Sequence, residues 1–253
     1  MEQTTKIALI TGGSRGLGKN AAMHIAKKGI DVIITYRSKK DEAEEVVAEI
    51  ERTGQKAAAL QLDTSMIRSF EAFSQQLTAL LKEKWGSEHF DFLVNNAGIN
   101  APSPFGKTTE EDFDHLVNVH FKGVYFLTQT LLPVIADGGR IINFSSGLAR
   151  FSTPGYAAYA SMKGAIEVFT RYLAKELGPR KIAANVIAPG IIETDFTSEA
   201  FSNPGMKERV SQITALGRPG MPDDIGGITA FLCTEDARWI NAQRIEASGG
   251  MNL

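Results

Sequence analysis

"ALITGGSRGLGKNAAMHIAKKG", residues 8 to 29, decides the fold. It runs from an apolar strand through a glycine turn into a helix. Gly12, Gly16 and Gly18 remove side chains where a backbone must approach a pyrophosphate at a helix N-terminus, whose free N–H groups favour anions. The spacing is G-x-x-x-G-x-G, not the G-x-G-x-x-G of the better-known dinucleotide fingerprint. Its place at the first strand-to-helix junction is where an α/β sheet binds nucleotides.

Outward from this stretch, short apolar runs alternate with amphipathic ones to the end of the chain. "KIALIT", "VIITY", "AAALQLD", "FDFLVNN", "RIINFSS", "IAANVIAPG" and "QRIEASGG" read as strands. In "DEAEEVVAEIERTGQ" the residues Ala43, Val46, Val47 and Ile50 have helical spacing, and Gly54 is placed to end the helix. Strands alternating with helices predict α/β architecture: a doubly wound Rossmann-type parallel sheet with helices on both faces and right-handed crossovers. With no linker, repeat or low-complexity tract, residues 1–253 read as one domain. Residues 191–210 break the rhythm, carry Pro204 and Gly205, and are expected to form a mobile substrate lid. "HLVNVHFKGVYFLTQTLLPVIA" and "YAAYASMKGAIEVFTRYLAKEL" are more continuously apolar than a one-sided helix needs, which leaves two readings open, packing on a second subunit or deep burial.

Composition narrows the function. At 253 residues and 43% hydrophobic content the chain can bury a full core, and its net charge of −2 without a basic block argues against nucleic acid. The one cysteine, Cys233, cannot close an intramolecular disulfide and reads as a buried helix position, which points to an intracellular, cytoplasmic setting. The N-terminus "MEQTTKIALITGG" shows no charged leader, and its apolar run is too short to span a bilayer. His24, His89, His115 and His120 lack ligand spacing, so no metal is expected and all four read as surface or loop histidines.

The end of the second strand selects the cofactor. A carboxylate there suits the ribose 2′-hydroxyl of NAD, whereas cations suit the 2′-phosphate of NADP. The chain has "TYRSKK": Arg37 and Ser38 would meet a phosphate, and Arg15 in the glycine turn adds a second guanidinium. NADP(H) is therefore expected.

The chemistry points to "YAAYASMK", residues 156–163. Tyr159 stands four residues before Lys163, so on a helix the two share a face, while Tyr156 has Ala160 at that place. A nearby ammonium favours the phenolate, so Lys163 is expected to lower the pKa of Tyr159 toward working pH. Tyr36 and Lys40 repeat the spacing, and context must separate the two pairs.

That context resembles the short-chain dehydrogenase/reductase family over nearly the whole chain. It is carried by "TGGSRGLG" at 11–18, "NNAG" at 95–98, Asn118, "NFSS" at 143–146, Tyr159 with Lys163, and "APG" at 188–190. The order of these motifs selects Tyr159 over Tyr36. The resemblance implies a seven-stranded sheet and a cofactor held by Gly12, Ser14, Arg15, Gly16, Leu17 and Gly18. It also implies that Asp63 binds the adenine amino group and that Asn95 to Gly98, with Ala97, line the cofactor. Pro189, Gly190, Ile192 and Thr194 would flank the nicotinamide, and Lys163 would also bind ribose hydroxyls. It further implies Ser146, rather than Ser145, as the catalytic serine, Asn118 as the link from Lys163 to a water chain, and a homotetramer.

Carbonyl reduction suits these groups. Hydride arriving at the carbonyl carbon builds negative charge on oxygen, where Ser146 and Tyr159 can donate and Tyr159 can deliver its proton. The pattern is similar to 3-oxoacyl-(acyl carrier protein) reductases, with Arg180 placed to meet an acidic carrier protein. Asp137 would repel such a partner, and "ASGGMNL" lacks the acidic residue of the usual "DGGM". A sugar or steroid alcohol dehydrogenase is the second reading. Phe105, Phe151 and Phe196 in the loops favour an apolar pocket over a sugar site, and Arg150 is read as a surface charge ahead of an anion contact. A non-catalytic NADP-sensing protein is the third, opposed by the retention of all four catalytic-type residues.

Overall fold

The computed structural model describes residues 5–253; residues 1–4, part of the stretch read as leader-free, lie outside them. All seven expected strands form: β1 (Ile7–Ile10), β2 (Asp31–Tyr36), β3 (Ala57–Gln61), β4 (Phe90–Asn95), β5 (Ile135–Phe144), β6 (Ala183–Pro189) and β7 (Arg244–Ala247). They pair in parallel in the order β3-β2-β1-β4-β5-β6-β7. The order reverses between β1 and β4, so the cleft for a ligand lies beyond the carboxyl ends of those two strands.

Period-two alternation sends successive residues to opposite faces. From β1, Ala8 and Ile10 join Val32, Ile34, Ala22, Ile25, Val46 and Ile50 under α1 (Gly16–Ala26), α2 (Lys40–Glu51) and α9 (Asp223–Leu232). Ile7 and Leu9 face the other way, among Leu93, Ile141, Phe70, Leu77 and Leu127, under α3 (Phe70–Trp85), α5 (Gly123–Leu131) and α6 (Ala157–Glu176). As expected, α2 buries Ala43, Val46 and Ile50, and Gly54 follows it with φ +93°.

Two stretches differ from expectation. "IADGG" belongs to β5 and enters it through a register shift opposite Phe90 and Phe92. Residues 191–210 are not irregular throughout: they contain α7 (Ser198–Phe201) and the start of α8 (Met206–Ile213), with Gly205 at φ +77° between them. No helix of the described residues is long and apolar enough to cross a membrane.

Between α4 (Glu110–Val117) and α5 the helix widens into a π turn over Asn118–Lys122. There the Gly123 N–H donates to the Asn118 carbonyl, and Gly123 is packed so closely that a Cβ would lie 2.1 Å from the Thr64 carbonyl. Such widened turns are frequent at functional sites, because they re-aim the side chains they carry.

Candidate active site

The glycine turn is built by close approach. A Cβ on Gly18 would lie 2.1 Å from the Gly12 carbonyl oxygen and 2.5 Å from Asn96 Nδ2, so only glycine lets the turn fold onto the helix start. Gly12 and Gly16 hold φ of +66° and +55°. Over Gly16 the space is open, the nearest atom to a would-be Cβ being Thr194 Cβ at 4.0 Å. The first turn of α1 carries no acidic residue. An open cradle at an uncompensated helix N-terminus fits a pyrophosphate. Ser14, Leu17, Ala97, Pro189, Gly190 and Ile192 border this end of the sheet, Ile192 being buried and bridged to Gly220.

The cradle is fastened by Asn96, whose part the sequence reading did not separate from that of its neighbours. Its Nδ2 donates to the carbonyls of Thr11 at 2.9 Å and Gly12 at 3.1 Å, and its backbone N–H donates to Thr11 Oγ1 at 3.0 Å. Asn95, expected to line the cofactor, points into the protein. It is buried and donates to Asn143 Oδ1 at 2.8 Å and Thr128 Oγ1 at 3.1 Å, while Asn143 donates to Thr170 Oγ1 at 2.8 Å. Adjacent strand residues face opposite ways, so one asparagine of "NNAG" ties the core and the other ties the turn.

At the ribose end Arg37 and Ser38 are exposed beyond β2. Arg15 is exposed and lies 3.7 Å from Asp195 at the start of the 191–210 segment. Asp63 has one carboxylate oxygen occupied by the Ser65 N–H at 2.9 Å and hydroxyl at 2.7 Å.

On the other side of the cleft, α6 places Tyr159 and Lys163 on one face, with Lys163 Nζ 5.5 Å from the Tyr159 ring centroid. Tyr36 and Lys40 do not share a helix: one ends β2 and the other begins α2, where it pairs with Glu44. Lys163 is buried and donates to the Phe144 carbonyl at 2.9 Å. Burial pulls its ammonium down to a pKa of about 7. The expected depression of Tyr159 does not occur in the protein alone. Burial among apolar groups pushes the phenol up, and the Ser146 side chain acts more weakly in the opposite sense. The ammonium that should favour a phenolate is itself disfavoured by the same burial.

Ser146 and Ser145 separate cleanly. Ser145 is buried and occupied, its hydroxyl 2.6 Å from Glu167 Oε1 and 3.2 Å from the Lys163 carbonyl. Ser146, in extended backbone at the strand end, faces Tyr159 and accepts from the Leu148 N–H at 3.2 Å. Behind it, Arg244 donates to the Ser146 carbonyl at 3.3 Å and to Glu167 at 2.6 Å.

Asn118 is not brought to this cluster. It lines a separate cavity of about 350 Å³ with Ser65, Met66, Arg68, His115 and Lys122. The residue of the π turn that reaches the cluster is His120, whose ring packs edge-on against Tyr159 with centroids 5.0 Å apart. Residues two apart on a helix do not share a face, which is why the one excludes the other. His120 is 1% exposed, against its reading as a surface histidine. A histidine inside the apolar run "VNVHFKGVYF" was the available signal.

Charges weighed for substrate binding are already paired. Arg180 holds Asp137 at 2.7 Å and donates to the carbonyls of Leu132 at 2.8 Å and Ile135 at 2.5 Å. Arg150 holds Glu246 at 3.0 Å and the Met251 carbonyl at 3.1 Å. Cys233 is buried and its thiol pushed up by that burial. Among the described residues no three metal-ligating side chains cluster.

Comparison with known proteins agrees with this geometry. The family described as Enoyl-(Acyl carrier protein) reductase matches residues 12–252. A hydroxynaphthalene reductase-like protein, Arp2, of Metarhizium brunneum is 37% identical over 257 residues, covering 97% of this chain and 94% of that protein. Among solved structures, the promiscuous reductase LugOII, which catalyses keto-reduction at C1 in lugdunomycin biosynthesis, superimposes with TM-score 0.93 at 36% identity, over 100% of both chains. The angucycline C-6 ketoreductase LanV with bound NADP does so with TM-score 0.93 at 38% identity, over 98% of this chain and 96% of that one.

Proposed function

The chain belongs to the short-chain dehydrogenase/reductase family and is an oxidoreductase acting on carbonyl or hydroxyl groups, and from that premise we propose that it is an NADPH-dependent ketoreductase of flat, largely apolar, hydroxylated aromatic ketones. The observation that carries the reading is the surround of Tyr159. Its ring is flanked by those of His120 at 5.0 Å, Tyr156 at 6.4 Å and Phe196 at 6.4 Å, with Ser146 and Lys163 alongside. Aromatic walls around a proton donor suit a planar ring system. The names of the relatives, a hydroxynaphthalene reductase-like protein and an angucycline ketoreductase, point the same way.

A bound NADPH would supply the hydride. Gly12, Gly16 and Gly18 would leave room for its pyrophosphate, Arg15 and Arg37 would meet the 2′-phosphate, and Asp63 retains one carboxylate oxygen for the adenine amino group. Ser146 and Tyr159 donate to the carbonyl oxygen as it becomes negative, and Tyr159 passes on its proton. Burial holds the phenol above its ordinary pKa, so it carries at neutral pH the proton that a donor must supply. Lys163, whose pKa burial pulls down to about 7, stands beside it as the group that would restore the proton.

The carrier-protein reading loses its support, because Arg180 and Asp137 spend their charges on each other. The half-exposed apolar face of Phe121, Tyr125, Val168, Phe169 and Tyr172 on the π turn, α5 and α6 supports packing against a second copy in a homotetramer, which light scattering would test. The single buried cysteine is in keeping with a cytoplasmic setting.

The test is loss of reduced-nicotinamide absorbance with NADPH against hydroxylated bicyclic ketones, 3-oxoacyl thioesters and keto sugars, with Tyr159→Phe as blank. Turnover of the aromatic ketones, abolished in the variant, is expected. Turnover of thioesters or sugars alone would overturn the substrate class, and tight NADPH binding without any turnover would revive a sensing role.

A further inference from the structure

His120 is the buried titratable group that the reaction above does not use. Its Nε2 lies 2.8 Å from the Ile99 carbonyl oxygen, close enough to require a hydrogen on that nitrogen, since two lone pairs at that range repel. The Ile99 N–H could donate to the same atom at 3.2 Å only in the other tautomer, and the shorter contact to the carbonyl decides for a hydrogen on Nε2. Nδ1 is then a bare acceptor. It is buried and has no hydrogen-bond partner.

Its surroundings show where it could act. The ring stands perpendicular to that of Tyr159, and a Cβ on Gly98 would lie 2.9 Å from His120 Cε1 and 3.5 Å from Nδ1, so the imidazole packs against a glycine of "NNAG". The charged and titratable groups around it are Lys163 and Tyr159 on α6 and His115 on α4. Burial first, then the Lys163 ammonium, holds the imidazole well below its ordinary pKa, so it stays neutral. Buried polar atoms in native proteins are ordinarily satisfied by protein or by ordered water.

We propose that His120 is a positioning residue for proton delivery: its Nδ1 lone pair accepts from an ordered water held beside Tyr159 and the Gly98 backbone, keeping a proton source in register with the phenol. This rests on the ketoreductase reading.

Two substitutions divide the ring's functions. His120→Gln reaches Ile99 from the position of Nε2 but offers nothing at Nδ1, whereas His120→Asn places an amide near Nδ1 and falls short of Ile99. With NADPH and the reducible ketone, His120→Gln and His120→Leu are expected to lose about tenfold or more in kcat with KM for NADPH little changed. His120→Asn is expected to retain kcat within about threefold. The inference is overturned if Gln retains activity, if Asn loses as much as Leu, or if no variant changes. Nitrogen-15 spectra of the wild-type histidines give a readout independent of turnover: an Nε2–H tautomer from about pH 6 to about pH 9 is expected, and an Nδ1–H tautomer or a charged ring would overturn the inference. A wild type inert on every ketone would sink the ketoreductase reading, while the tautomer would still decide the geometry.

Discussion

The two walls of the cleft are made differently. On the cofactor side, backbone touches backbone: Gly18 against Gly12, Gly123 against Thr64, and Asn96 pinning the turn. Beyond Tyr159, aromatic loop side chains stand in the open, Phe196 beside that ring at 41% exposure and Phe105 at 94%. At Gly18 and Gly123 the first wall tolerates no added atom, while the space over Gly16 is open. The second has room to change, as a wall that sets substrate choice would need. Tyr159 and Lys163 sit where the walls meet.

The largest expected effect is at that junction. Tyr159→Phe should lower kcat by about 10²–10⁴, the range of a lost general acid, while NADPH affinity measured by fluorescence titration stays within about twofold. Equal loss of binding and turnover would mean that Tyr159 belongs to the cofactor wall. Next comes Gly18→Ala, whose methyl would collide with the Gly12 carbonyl. Overpacking there should destabilise the fold by about 1–3 kcal/mol in urea denaturation and weaken NADPH at least about tenfold. An unchanged affinity would remove the claim that backbone contact defines this wall.

Lys163 provides a pH test. Its pKa of about 7 in the folded protein lies below its unfolded value near 10.5, so between the two the unfolded chain binds more protons. Stability of the cofactor-free protein should therefore rise as pH climbs from about 7 toward about 10, and Lys163→Met should flatten that rise. The same slope in wild type and variant would place the titration elsewhere. The smallest effects belong to the open wall. Phe196→Ala should raise KM for the ketone about tenfold, and Phe105→Ala should change stability by less than about 0.5 kcal/mol. A large loss of stability from either would show the substrate wall to be packed after all.

Local pattern carried far in this chain. The apolar runs "KIALIT" and "VIITY" read correctly as strands, because apolar residues at successive positions of a strand mean burial on both faces. Helical spacing joined Tyr159 to Lys163, because residues four apart share one face of a helix. Pattern failed where the backbone leaves its period. The π turn turned His120, not Asn118, toward Tyr159. The side chain of Asn95 went to the core. The pairing of Arg180 with Asp137 joins residues 43 positions apart and has no local signature.

The succession of strands and helices, the glycine turn and the placement of Tyr159 and Lys163 on one helix face were therefore determined by sequence alone, since each rests on local spacing. Which neighbour neutralises a charge, and whether burial or an ammonium governs the Tyr159 phenol, was decided only by tertiary structure. Desolvation and hydrogen bonding depend on what lies across space, and the chain brings those groups together only after it has folded.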